Sequence, residues 1–394
     1  MSGIPSRVST TGLVGAVLLT LLAGCGRATS PTASARSAAP TAQPTPAQTP
    51  MPAPPAPLVV TVADAGPAET PWTAVRLSLI GEDGTVAATV NDPGGVDGDA
   101  YTVGSEAVYF IDGTVVKALG RDGTVTDVGL VPQVSTTVTS DDLQAYTTFT
   151  VSPDDQTFIF GIPLAIQGDH GATSDRSQLW TEPVGGNAAS ATMVYDDTSS
   201  DDLVLLPISW GSTGVLISQR STTGLGGAGP FINDTDFEAV TFDPTTRLLT
   251  AVQGNCLPVN PQAGDAPTPV DVCEAPNPSS PDLTVDIGSE TATVTMQAAG
   301  ATAFGSVVVS DDDRYLAYGA YIGDFASGHY VATIVNLVNG ATVATVSGFT
   351  PMQWLNDDRL VVSPLYLDRS TYLLSASFDS PVKLTADQPT GALP

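Results

Sequence analysis

Val151-Ser-Pro-Asp-Asp-Gln-Thr-Phe-Ile-Phe160 is the stretch that decides the fold. An apolar residue leads into a tight acidic turn, and an aromatic and aliphatic run leads out. Short Ser and Asp side chains bond their own backbone, so they punctuate turns, whereas Phe and Ile suit a pleated strand. The pattern recurs as Val309-Ser-Asp-Asp-Asp-Arg-Tyr-Leu-Ala-Tyr318 and as Trp354-Leu-Asn-Asp-Asp-Arg-Leu-Val-Val-Ser363. Weaker copies are Val103-Gly-Ser-Glu-Ala-Val-Tyr-Phe110 and Trp210-Gly-Ser-Thr-Gly-Val-Leu-Ile-Ser218.

A second turn class lies between alternating apolar runs: Asp83-Gly84, Asp112-Gly113, Asp122-Gly123 and Asn339-Gly340. Such pairs supply the positive φ of tight hairpin turns. No convincing amphipathic helical stretch follows residue 57, so the chain is all-β. The acidic-turn copies lie about 45–60 residues apart, with one gap of about 100 between residues 210 and 309 that fits two units. Repeats of that period with four strands each mark a β-propeller. Val240–Ala251 together with Leu283–Val294 supply the missing unit, giving seven four-stranded blades; merging them into the preceding copy gives six. The Ser152-Pro153-Asp154-Asp155 turn followed by its strand resembles the TolB-type, WD-like propeller repeat. That resemblance covers most of residues 58–390 and implies a fold rather than an activity.

The N-terminus reads as a processing signal. Arg7 precedes an apolar run, Leu13–Leu22, too short to span a hydrocarbon core of ~30 Å. Leu22-Ala23-Gly24-Cys25 resembles the bacterial lipobox, which implies cleavage before Cys25 and lipidation of its thiol. The expected organisation is a signal peptide over 1–24, a lipidated tether over 25–57, and a propeller over 58–394. Residues 26–57 hold nine prolines and no aromatic residue, the composition of an extended spacer. The expected location is extracytoplasmic, with lipid as the only link to the membrane. Cys256 and Cys273 then remain as an even pair outside the cytosol, which predicts a disulfide; zinc held by the two thiolates is the alternative.

The 394 residues are 42% apolar, which excludes wholesale disorder. They carry 41 Asp and Glu against 13 Lys and Arg, a formal charge of −28. A phosphate-binding surface needs clustered Lys and Arg, so nucleic acid is excluded as a partner. Much of the acidity sits in turns and so accompanies the fold.

Longer insertions follow the acidic turns: Gly161–Gln178, Arg220–Phe237, the segment around Cys256–Cys273, Tyr318–Gly328 and Pro364–Ser370. In a propeller these would gather on one face, where function usually sits. His170 and His329 fall there, with Asp169, Asp175 and Asp324 as companions for an acid/base or metal site. No cofactor is expected; among metals, calcium fits clustered carboxylates best, with Asp234, Asp236 and Glu238 as its candidate ligands. Asp311–Asp313 and Asp92–Asp99 are further acidic clusters. Gly224-Leu-Gly-Gly-Ala-Gly229 matches a dinucleotide-loop spacing, but no helix pattern follows to meet a pyrophosphate. Trp180 and Tyr321 adjoin the insertions and are candidate ligand contacts. Together these features predict a binding or scaffold protein presenting its loop face to a protein, peptide or glycan. The alternative is a propeller-type hydrolase or lyase acting on carbohydrate or ester through loop carboxylates and a histidine.

Overall fold

The computed structural model describes residues 55–64, 74–91, 101–134, 147–167, 173–187, 189–197, 203–211, 214–221, 238–251, 256–259, 270–274, 282–287, 290–310, 312–324, 327–356, 358–364, 370–375 and 377–394. The chain divides into Met1–Ala53, outside the described residues, and Pro54–Pro394. Among the described residues every element is a strand, and the strands form seven antiparallel four-stranded sheets. Seven blades, rather than six, is therefore the count.

From innermost to outermost strand, blade 2 comprises β4 (Tyr101–Val103), β5 (Ala107–Asp112), β6 (Val115–Gly120) and β7 (Val125–Leu130). Blade 3 is β8 (Thr148–Val151), β9 (Thr157–Gln167), β10 (Thr173–Pro183) and β11 (Thr192–Asp196). Blade 4 is β12 (Leu203–Gly211), β13 (Gly214–Ser221), β14 (Glu238–Asp243) and β15 (Leu248–Ala251). Blade 5 is β16 (Cys256–Val259), β17 (Val270–Glu274), β18 (Asp282–Ile287) and β19 (Glu290–Thr295). Blade 6 is β20 (Ala301–Val309), β21 (Tyr315–Ile322), β22 (His329–Asn336) and β23 (Ala341–Ser347). Blade 7 is β24 (Thr350–Asn356), β25 (Arg359–Ser363), β26 (Thr371–Leu374) and β27 (Val382–Thr385).

Blade 1 joins both ends of the unit. Its innermost strand is β28 (Gln388–Leu393), paired with β1 (Leu58–Asp64), followed by β2 (Ala74–Ile80) and β3 (Val86–Asn91). Arg76 on β2 secures this closure by a bidentate pairing with Asp387, just before β28, donating from Nη2 to Oδ1 at 2.6 Å and from Nε to Oδ2 at 3.2 Å.

The core lies between blades, because successive side chains of a strand point to opposite faces. On β5, Val108 and Phe110 pack with Val60, Leu77 and Leu79 of blade 1. The alternate residues Ala107 and Tyr109 pack with Phe149, Phe158 and Phe160 of blade 3. Both faces are buried, so the middle strands read as nearly continuous apolar runs. Trp354 belongs to the same kind of seam: fully buried, it stacks on Tyr315 of blade 6 and donates its indole N–H to the Val308 carbonyl at 3.3 Å.

Two sequence expectations are corrected. The segments read as one missing unit are the outer halves of two blades, β14–β15 of blade 4 and β18–β19 of blade 5. Gly161–Gln178 is largely strand: β9 and β10 stay paired from Gly161–Leu179 out to Gln167–Thr173, a two-stranded arm longer than its neighbours β8 and β11.

Candidate functional site

Strand direction sorts the connections onto two faces. Within a blade, inner-to-second and third-to-outer links leave one face; second-to-third links and links to the next blade leave the other. The first is a face of tight turns. Ser152 and Ser310 build the same turn in blades 3 and 6: each Oγ donates to an aspartate, Asp154 at 2.6 Å and Asp312 at 2.8 Å. Each Oγ also accepts a backbone N–H at 2.9 Å, from Thr157 and Tyr315. The Ser152 hydroxyl and the Gln156 N–H hold the Asp154 carboxyl below its ordinary range. Asp83 and Asp122 are lowered likewise, chiefly by the N–H groups of Thr85 and Thr124. These acids are spent on turns.

Asp155, at φ 53°, joins neighbouring blades. Its carboxylate reaches the β4–β5 turn and accepts from Ser105 N at 3.0 Å, Ser105 Oγ at 2.7 Å and Glu106 N at 2.9 Å. The equivalent Asp313 shares the positive φ at 57°, and its carboxyl is pushed up, first by burial and then by Asp312. The chain also enters the propeller on this face: Leu58 pairs with Leu393, and Arg121 donates to the Ala56 carbonyl at 2.7 Å.

The opposite face carries the connections 65–73, 92–100, 131–147, 168–172, 198–202, 222–237, 275–281, 323–328 and 364–370. On the turn face 184–191, 260–269 and 375–381 are comparably long, the second because the cysteine-bearing segment joins β16 to β17 rather than β17 to β18. That insertion is therefore corrected to the other face. The expected loop-face positions of 222–237, 323–328 and 364–370 agree with the strand order. Trp72, Tyr146, Phe231, Phe237, Phe325 and Tyr366 all fall in loop-face connections. The turn-face connections hold one aromatic residue, Phe378, which is buried between blades 6 and 7.

The described candidate residues do not gather at one place on the loop face. Asp324 and His329 are exposed beside the β21–β22 connection. The Tyr321 hydroxyl donates to the Asp324 carbonyl at 3.0 Å, and the Tyr321 ring meets Tyr330 edge-on at 5.1 Å. Tyr321 is thus a buried support for the connection. Asp175 sits on the blade 3 arm opposite Ala165, three blades from His329. Trp180, mid-strand on β10, is half-buried and donates to Gln178 Oε1 at 3.0 Å. Glu238 pairs with Gln219 in register on blade 4. Cys25, Asp169, His170, Asp234, Asp236, Asp311, Asp92–Asp99 and Gly224–Gly229 lie outside the described residues. Among the described residues no group of three or more metal-ligating side chains occurs.

Sequence reasoning missed Glu182, buried on β10. One carboxyl oxygen accepts Leu130 N–H at 3.2 Å and the other has no partner, and burial pushes its carboxyl up. A lone glutamate in a strand carries no signal of burial. Asp155 was visible only as a turn residue, since its partners are on another blade.

Seven four-stranded antiparallel blades closed by a C-terminal strand define a β-propeller. No family model matches the chain, and no curated protein matches it. Among solved structures, one from a study of two prolyl endopeptidases has a TM-score of 0.51 at 14% identity, over 82% of this chain and 49% of that one. Prolyl oligopeptidase B from Galerina marginata, bound to a 25mer macrocyclization substrate, gives 0.45 at 11%, over 81% and 48%. A eukaryotic initiation factor gives 0.40 at 9%, over 86% and 98%. This chain spans about half the length of the peptidase structures, and at such identity the likeness is one of fold.

Proposed function

We propose that this protein is a lipid-anchored, extracytoplasmic binding or scaffold propeller whose loop face takes a protein, peptide or glycan partner. The observation that carries the reading is the asymmetry of the two faces: the two longest connections, 131–147 and 222–237, and nearly all connection aromatics leave one side. Aromatic side chains supply much of the binding energy of recognition surfaces. The loop-face connections 92–100, 135–146, 198–202 and 222–237 carry aspartates and neither lysine nor arginine. That balance favours a cationic peptide, a basic protein patch or a neutral glycan. The lipobox resemblance at Cys25 supports the anchor and the TolB-like repeat supports the class.

Peptide and glycan arrays test the reading. Binding should be lost in the F231A/F237A variant and kept in a variant of the 184–191 turn. Binding indifferent to loop-face changes refutes it; turnover of a glycan or ester that depends on Asp324 or His329 would favour the enzyme instead. C25S should move the protein from the membrane pellet to the soluble fraction, and its retention in the pellet would overturn the anchor.

A further inference from the structure

We propose that Cys256 and Cys273 form a cross-strand disulfide that staples the two inner strands of blade 5 at its loop-face end. The observation is the register: Cys256 and Cys273 are directly opposite one another in the antiparallel ladder of β16 and β17. Opposite residues in such a ladder have Cα atoms ~4.5 or ~5.5 Å apart, according to the hydrogen-bond pattern. Both spacings fall within the ~4.4–6.8 Å that a disulfide bridges. The placement is thus suited to a bond without backbone movement.

Blade 5 also gives a staple something to do. The β16–β17 ladder has four residue pairs, from Cys256–Cys273 to Val259–Val270, and Pro258 within it has no N–H to donate. Blades 3 and 6 hold their inner pairs with the Ser152 and Ser310 turns, whereas β16 and β17 are joined by 260–269. A link of that length leaves the register weakly set. The cysteines occupy the opposite end of the ladder, at the bases of the 252–255 and 275–281 connections. A bond there pins the end that the long link leaves free.

In the reaction both S–H bonds break and one S–S bond forms. Two protons pass to solvent, and two electrons pass to an oxidant of the disulfide class, which becomes two thiols. The proposal rests on the extracytoplasmic reading only for the supply of that oxidant.

Full-length protein isolated from membranes without reductant should be denatured, alkylated with N-ethylmaleimide, digested and weighed. The expected result is one linked species containing Cys256 and Cys273, unalkylated, that separates on reduction. A second sample, purified reduced and folded, is exposed to oxidised glutathione before the same treatment. If that sample links and the membrane-derived one does not, the pairing stands and the extracytoplasmic placement fails. If neither links, or either cysteine joins a different thiol, the proposal is overturned. Cleavage within blade 5 should be faster in the C256S/C273S variant, on the order of a hundredfold for a ring of this size. Equal cleavage rates in oxidised wild type and variant would also overturn it.

Discussion

Asp155→Ala isolates the polar latch between blade 3 and the β4–β5 turn of blade 2. The Asp155 side chain is 8% exposed, and its carboxylate gathers two backbone N–H groups and one hydroxyl from Ser105 and Glu106. A hydrogen bond to a charged group contributes about 1.5–3 kcal/mol, but Ser105 and Glu106 are partly open to water, which can replace some of that loss. Truncation should therefore cost about 3 kcal/mol, not the sum of three bonds. Part of the loss has a second source. At φ 53° an Asp is tolerated better than an Ala, with ~1 kcal/mol between Ala and Gly at such a position. D155G, which removes the same bonds without that strain, should thus cost about 2 kcal/mol and be the more stable of the two. Gly104 supplies a further check. A Cβ there would lie 2.3 Å from Asp155 Oδ1 and 2.6 Å from Tyr109 Cε2, so G104A must push the carboxylate away. G104A should cost less in the D155G background than alone, a coupling that a double-mutant cycle reads directly. Urea midpoints of wild type and the four variants provide the free energies. A D155A loss under ~0.5 kcal/mol, the range of ordinary surface changes, refutes the latch. D155G less stable than D155A refutes the strain argument.

Three other perturbations follow from the seams and the closure. Burial raises the Glu182 carboxyl above its unfolded value, so its stabilising protonated form is fully populated below that value, near 4.5, and stability falls as pH rises from there toward the folded value. E182Q should be more stable than wild type at pH 7, with the difference shrinking toward pH 4; a pH-independent difference would sink the assignment. G161A places a Cβ 2.4 Å from both the Leu205 carbonyl oxygen and Pro207 Cδ, forcing blades 3 and 4 apart at a cost of about 3 kcal/mol. A melting temperature equal to wild type contradicts that. R76A strands the buried Asp387 carboxylate and should cost ~2–3 kcal/mol, with hydrogen exchange on β28 rising more than on β13. Uniform exchange across blades would show that the ion pair is not what secures the closure.

The blades were legible wherever the signal was local. Val151–Phe160, Val309–Tyr318 and Trp354–Ser363 each encode a turn and two strands within ten residues, because a Ser or Asn side chain closes the turn on nearby backbone. Blade 5 carries no such local signal in its sequence, because ten residues, 260–269, separate its two inner strands. The arm of blade 3 reads as a loop in sequence because Gly161, Pro163 and Gly168 punctuate it as a loop would, while its pairing is set by the opposite strand. For the candidate site, the sequence named residue types but could not distribute them. Asp175 and His329 stand three blades apart, and the Tyr321 side chain is buried rather than offered to a ligand.

Local chemistry alone therefore determined that this chain is all-β, repetitive and acidic at its turns, since hairpin turns and strand alternation act over a few residues. The tertiary structure decided what depends on residues far apart in the chain: seven blades rather than six, the closing of β28 on β1 across the whole domain, and the pairing of Arg76 with Asp387. It also decided that Asp155 is an interblade latch and that Cys256 faces Cys273. Those outcomes rest on which strands become neighbours, and the packing of whole blade faces against one another selects that, with no trace at either partner's own position.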